Sequence, residues 1–237
     1  MHAAQSEGRS GLRIAEDIAD RRLVVWFESN LSIVETDLGQ DETAFSRAEN
    51  AMDLAQESGE PILISASHMA MSYYHIQREE WEAARSVLDA SEVIQSQRQP
   101  LLLLSEMWVI YAEALWGSGE LDEASELAGR LLEHTRRRGE RYPEALATWV
   151  KGKIFASQKA WDQALRCFEI AVDAFEQLGS QVGLGRALYQ RARLYQALSQ
   201  QDEAIKDASR ALEIFTQAGA SRDAHKVEQF LAGKPKA

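Results

Sequence analysis

Between residues 161 and 172, apolar side chains fall at Trp161, Ala164, Leu165, Phe168, Ala171 and Val172, with polar residues between them. That spacing is one stripe on an α-helix. The preceding stretch, 142–158, has Leu146, Trp149, Val150 and Phe155 at helical spacing, and a break follows near Lys159. Two consecutive helices are predicted. No sustained period-two alternation bounded by turns occurs, so no strand is expected.

The same pattern recurs along the chain. The stretches DETA, WEAA, LDEA, WDQA and QDEA close on Ala44, Ala84, Ala124, Ala164 and Ala204, each forty residues from the last. Gly59, Gly139, Gly179 and Gly219 share that spacing, with Gln99 as the exception. Glycine takes the left-handed conformation at low cost, so this column is expected to close each second helix. Pro61, Pro100 and Pro143 fall at the starts of units, where proline suits a first helical turn. A two-helix unit cannot bury its apolar stripe alone, and stacked units bury it against their neighbours. Small alanines let helices approach, and Trp161 and Phe168 fill the space beside them. Cys167, the single cysteine, lies next to that stripe and reads as a small hydrophobe.

These residues resemble the tetratricopeptide repeat, a helix pair with small and aromatic residues at fixed positions. The fourth unit supplies Gly152, Phe155, Trp161, Phe168 and Ala171 to that pattern, and the fifth Leu188, Ala192, Tyr195, Ala204 and Ala211. The third supplies Trp108, Ala112, Leu115, Gly119 and Ala124, and the second Ser72, His75, Trp81 and Ala84. The first is weakest, with Ser32 and Glu35 at two usual core positions but Gly39, Ala44 and Ala51 in place. The resemblance covers roughly residues 22–218 and implies an all-α fold, a right-handed α-α superhelix of about five helix pairs. The implied repeats are 22–60, 61–100, 101–140, 141–180 and 181–220, in one solenoid over 1–237. A period of forty, longer than usual for the family, resembles the arrays of bacterial signal-transduction ATPases, regulators and cyclases. HEAT-type helix pairs are the alternative architecture.

The ends are incomplete units. GLRIAEDIADRRL at 11–23 aligns with AMDLAQESGEPIL at 51–63, so residues 1–21 read as the second helix of a partial unit. Gly8 and Gly11 are expected to weaken that helix and its first residues to fray. The half unit fits either a piece of a longer protein or an N-terminal cap. Residues 221–233 read as one extra capping helix and 234–237 as a tail.

Composition narrows the function. Apolar residues make up 45% and charged residues 27%, as in ordinary soluble proteins, and no apolar run approaches a membrane span. There is no secretory signal, and one cysteine excludes an internal disulfide and a multi-cysteine zinc site, so a cytoplasmic setting is expected. The net charge of −11 argues against nucleic-acid binding. It is uneven: residues 1–60 carry 5 basic and 13 acidic side chains, residues 182–237 carry 9 and 6.

Candidate chemistry is sparse. His68 and His75 lie seven apart on one helical face, but at positions where the repeat packs its core, so a structural role is expected rather than metal ligation. His225 and Glu228 form a weak surface pair. The run RRRGER at 136–141 falls at the end of a second helix, where cations suit the helix dipole. Phosphate loops, nucleophile elbows and HExxH are absent. Neither catalysis, a metal nor a cofactor is expected.

The family resemblance implies a concave surface lined by the first helices of each pair at a 3-4-3 spacing. Mapped here, that stripe includes Trp26, Met69, Tyr73, Ile76, Trp116, Trp149, Lys153, Arg186, Tyr189 and Arg193. It implies a groove that is aromatic through the middle and turns from Glu106 and Glu113 to the basic Lys153, Arg186 and Arg193. The expected function is a non-enzymatic module binding a peptide or partner helix, with Trp149, Tyr189, Tyr73 and Trp116 as anchors. The Lys-Asn-Arg clamp of chaperone-tail binders is missing: Ser29, Met69, Val109, Trp149 and Tyr189 stand at the relevant positions. A rival reading is the regulatory arm of a larger ATPase, cyclase or transcription regulator, binding a small ligand or its own catalytic domain. A third is homo-oligomerisation through the outer apolar surface.

Overall fold

The structure is a computed structural model that describes residues 1–90 and 105–233. The junction of the second and third repeats, with Gln99 and Pro100, and the tail 234–237 lie outside the described residues. Those residues form helices and no strands: α1 (His2–Asp17), α2 (Arg21–Asp37), α3 (Asp41–Ser58), α4 (Pro61–Gln77), α5 (Trp81–Asp89) and α6 (Ser105–Gly117). They continue with α7 (Leu121–Arg138), α8 (Arg141–Ser157), α9 (Trp161–Leu178), α10 (Gln181–Ala197), α11 (Gln201–Ala218) and α12 (Ser221–Leu231). The chain forms two compact units, Met1–Glu120 and Leu121–Ala237. The fold is an all-α helical repeat, as the hydrophobic pattern predicts.

The phase is finer than forty. Left-handed residues occur at Ala19, Gly39, Gly59, Glu79, Gly119, Gly139, Lys159, Gly179, Ser199 and Gly219, so most turns reverse the chain twenty residues after the last. At each the backbone folds back onto the helix it leaves. Thus Ser180 N–H donates to the Phe175 carbonyl at 3.0 Å, and Gln40 N–H to that of Glu35 at 2.9 Å. Pro61 opens α4 in the first turn, where a missing N–H costs nothing, and Asp20 caps α2 by accepting from the N–H groups of Arg22 and Leu23.

Packing follows from the alanine and aromatic columns. In the first unit, Ala44, Ala48, Ala51 and Ala55 on α3 are fully buried, and small side chains there let helices lie close. In the second, Phe168, Phe175 and Phe215 fill the core. Gly152 on α8 admits Phe168: a Cβ at Gly152 would sit 2.6 Å from that ring.

Helix α1 departs from the expected fraying. It is regular from His2, and its glycines serve close packing: a Cβ at Gly8 would lie 2.8 Å from Leu31, and one at Gly11 2.4 Å from Phe27. The helical cost of glycine is offset by seating two apolar side chains of α2.

Candidate functional site

The polar residues at the weak core positions of the first repeat are satisfied within the unit. Ser32 donates to the Ala44 carbonyl at 2.7 Å, bridging α2 to α3, and Ser72 does the same to Ala84 at 3.3 Å. Glu35, whose side chain is wholly buried, accepts from Arg9 at 2.8 Å, Gln5 at 3.0 Å and Arg47 at 2.8 Å. Arg47 also reaches Glu28 at 2.6 Å. Burial pushes the Glu35 carboxyl upward, but the hydrogen bonds from Arg9 and Gln5 and the charge of Arg47 outweigh it and hold it below its ordinary value. Sequence reasoning missed this network because Glu35 alone looked like a degenerate core residue, and the repeat pattern does not say which polar groups meet it.

The stripe residues of the first unit lie on α2, α4 and α6. Trp26 is 41% exposed. Met69 and Tyr73 are half-buried, and the Tyr73 hydroxyl donates to Asp37 of α2 at 2.6 Å. Trp116 meets Trp81 edge to face, ring centroids 5.6 Å apart. Ile76 is only 2% exposed and sits in the core.

In the second unit Trp149 and Lys153 on α8 are 6% and 4% exposed. The Lys153 ammonium stands over the Trp149 ring at 4.6 Å, a cation–π contact. The Trp149 indole N–H is buried and makes no hydrogen bond to the described residues. Arg186 on α10 is paired with Asp223 of α12, through Nε at 2.8 Å and Nη2 at 2.6 Å. Tyr189 packs edge to face on Phe230 at 5.7 Å, and its hydroxyl lies 3.5 Å from the Lys226 carbonyl oxygen. Arg193 reaches Gln190 at 3.4 Å. The stripe is therefore held in place by neighbouring helices, and Ile76, Trp149 and Lys153 lie beneath its surface.

The other sequence candidates resolve into local structure. His75 Nδ1 is 2.8 Å from Glu80. The His68 Nδ1 is buried without a partner among the described residues, and burial lowers its pKa. His225 lies 3.7 Å from Glu228 on the surface. The basic run is neutralised nearby: Arg136 pairs with Glu144, Arg137 with Glu133 and Arg138 with Glu140. Among the described residues no group of His, Cys, Asp or Glu could hold a metal, and no helix is long and apolar enough to cross a membrane.

Residues 144–217, the span of α8 to α11, match the tetratricopeptide repeat family profile. This stretch carries tetratricopeptide repeats. No curated protein matches the sequence. Among solved structures, the chain is similar to BtubC (BKLC) from P. vanneervenii, with 16% identity, TM-score 0.62, and 92% of this chain and 91% of that one covered. It is also similar to a Rap protein complexed with Competence and Sporulation Factor, with 16% identity, TM-score 0.67, and 86% and 55% covered. A signal transduction ATPase with a tetratricopeptide repeat sensor from Pyrococcus horikoshii gives 16% identity, TM-score 0.60, and 94% and 34% covered. The chain spans about half of the Rap protein and a third of the ATPase. At this identity the likeness shows the tetratricopeptide repeat fold alone.

Proposed function

We propose that the chain is a non-enzymatic interaction module that captures a peptide or partner helix on the stripes of its first helices. The observation that carries this reading is the half-buried aromatic surface itself, with Tyr73 tied to Asp37, Trp116 to Trp81 and Tyr189 to Phe230. Rings already fixed by neighbours lose little freedom on binding, which is what a recognition surface needs. Trp26, Met69, Tyr73 and Trp116 offer contact in the first unit, and Arg186, Tyr189 and Arg193 in the second. Trp149 and Lys153 form a floor, and the indole N–H of Trp149 favours a ligand that brings an acceptor. Ile76 supports the stripe from the core.

The test is affinity capture from a lysate of the source organism, comparing wild type with a Trp149→Phe/Tyr189→Ala double variant that retains its helix content. A partner retained on wild type should bind the variant more weakly by about 2 kcal/mol or more. Equal retention refutes the stripe as the binding surface. The fold shared with the sensor of the signal transduction ATPase supports a second reading, the regulatory arm of a larger protein. A captured catalytic domain in place of a free peptide would favour it.

A further inference from the structure

Charge is unevenly divided between the two helix types of the second unit. Its first helices α8 and α10 carry six basic side chains, Arg141, Lys151, Lys153, Arg186, Arg191 and Arg193, against one carboxylate, Glu144. Its second helices α9 and α11 carry eight acidic and three basic side chains. The first helices of the first unit show no such excess. There α2 carries two arginines and three carboxylates, α4 carries no Lys, Arg, Asp or Glu, and α6 carries two carboxylates. In a chain of net charge −11, the α8 and α10 layer is a local positive field.

Several of these cations are already engaged. Arg191 holds Asp207 of α11 through both oxygens, at 2.6 and 3.0 Å, Arg186 holds Asp223, and Arg141 donates to Gln177 at 3.0 Å. Glu144, the one carboxylate of the layer, is taken by Arg136 of α7. Arg193 differs. It is half-buried, makes no ion pair among the described residues, and donates to Gln190 over a long 3.4 Å. It stands one repeat after Lys153, on a helix that touches α8. Neighbouring first helices meet at fixed offsets: Tyr189 reaches Lys226 and Phe230, 37 and 41 residues on, and Arg186 reaches Asp223, 37 on. From Trp149 the same offsets lead to Arg186 and Gln190, which sets the Gln190–Arg193 pair beside the turn of α8 that carries Trp149 and Lys153. On that turn the Trp149 indole N–H is buried without a partner, and the Lys153 ammonium stands over the ring at 4.6 Å. A buried donor left unpaired costs free energy, which an acceptor brought by a ligand recovers.

On the reading that the first-helix stripes bind a partner, we propose that this corner of the second unit receives a carboxylate from an acidic segment of a partner protein. One oxygen of an Asp or Glu side chain pairs with Arg193. The other takes the Trp149 N–H once Lys153, on its flexible stem, swings from the ring toward the carboxylate. Apolar neighbours of that residue rest on Tyr189. A nucleic-acid or polyphosphate chain fits less well, because aromatic rings lie between the cations and the acidic α9 and α11 repel a long polyanion.

The probe is a display library of random peptides about three helical turns long, selected on the full chain and on its Arg193→Gln variant. Peptides selected on wild type are enriched in Asp and Glu, and the enrichment disappears on the variant. The most enriched peptide is then synthesised and titrated by fluorescence anisotropy. It binds Trp149→Phe and Arg193→Gln at least about tenfold more weakly, and keeps most of its affinity for Arg193→Lys. It is indifferent to Arg137→Gln, which removes the same charge from the exposed end of α7. In isotope-labelled chain, the indole N–H resonance that Trp149→Phe abolishes shifts when the peptide is added. Helix content and thermal midpoint are the folding control, and Arg193→Gln carries the test if Trp149→Phe unfolds. Selected peptides with no preference for acidic residues overturn the proposal and leave the stripe standing as a binding surface. A library that yields no binder overturns both. Equal loss in Arg137→Gln, or an oligonucleotide bound more tightly than any peptide through the same residues, also overturns it.

Discussion

Replacing Glu35 by alanine removes the carboxylate shared by Arg9, Arg47 and Gln5. The side chain is fully buried and accepts three hydrogen bonds of 2.8 to 3.0 Å. Breaking a buried charge pair costs about 3–5 kcal/mol. Two features of the site place this loss at the low end. Arg47 keeps Glu28, and Arg9 is half exposed, so water can solvate it. The expected destabilisation of the first unit is about 3 kcal/mol. Glu35→Leu, which puts an apolar residue where the third repeat has Leu115, should cost less than alanine. The effect is also pH-dependent. The folded carboxyl lies below its ordinary value of about 4.5, so the unfolded chain takes up that proton first as the pH falls. The stabilisation is fully present above about pH 4.5 and is lost as the pH falls through the folded value. The assay is urea unfolding of wild type and Glu35→Gln from pH 6 to 3, with peptide-resolved hydrogen exchange over α1 to α3. The stability gap should close below about pH 4.5 and the exchange difference should be confined to these helices. A gap that stays constant down to pH 3 would refute the reasoning.

Other outcomes follow from the same geometry. Lys159 holds φ at 59°, so Lys159→Gly should raise stability by about 1 kcal/mol, while Gly179→Ala, at φ 68°, should lower it by a similar amount; thermal unfolding reads both. Gly152→Ala drives a methyl to 2.6 Å from Phe168 and should cost about 1–3 kcal/mol, relieved when combined with Phe168→Leu. Burial pushes the Cys167 thiol above its ordinary pKa despite nearby Lys151 and Arg166, so alkylation at neutral pH should be slower than that of a free thiol and accelerate on unfolding. Alkylation as fast as that of a model thiol would contradict this.

The sequence made the helix pairs legible because two columns of residues have little choice. Ala44 and its counterparts must be small, and Gly59, Gly179 and Gly219 occupy left-handed turns. The alternate turns were harder to read: Ala19, Glu79, Lys159 and Ser199 take the same conformation without the residue type that announces it. Side-chain partnerships between neighbouring helices were not legible either. Arg186 to Asp223 and Tyr73 to Asp37 span 37 and 36 residues, and a pattern that assigns each residue to a face does not say which polar groups meet. The stripe mapping likewise gave register but not depth. It put Trp149, Lys153 and Ile76 level with Tyr73 and Tyr189, whereas the packing of the helix pairs carries those three below the surface.

The claim on which the account rests is that a forty-residue helix pair is the unit of folding, each half spanning twenty residues. Two deletions test it directly. Removing residues 141–180 takes out α8 and α9 and joins a second helix to a first helix in phase. Removing 161–180 takes out α9 alone and sets two first helices in sequence. The account predicts that the full-period deletion keeps the helix content per residue and a cooperative thermal transition, while the half-period deletion loses both. Equal tolerance of the two, or survival of the half-period deletion alone, would contradict it.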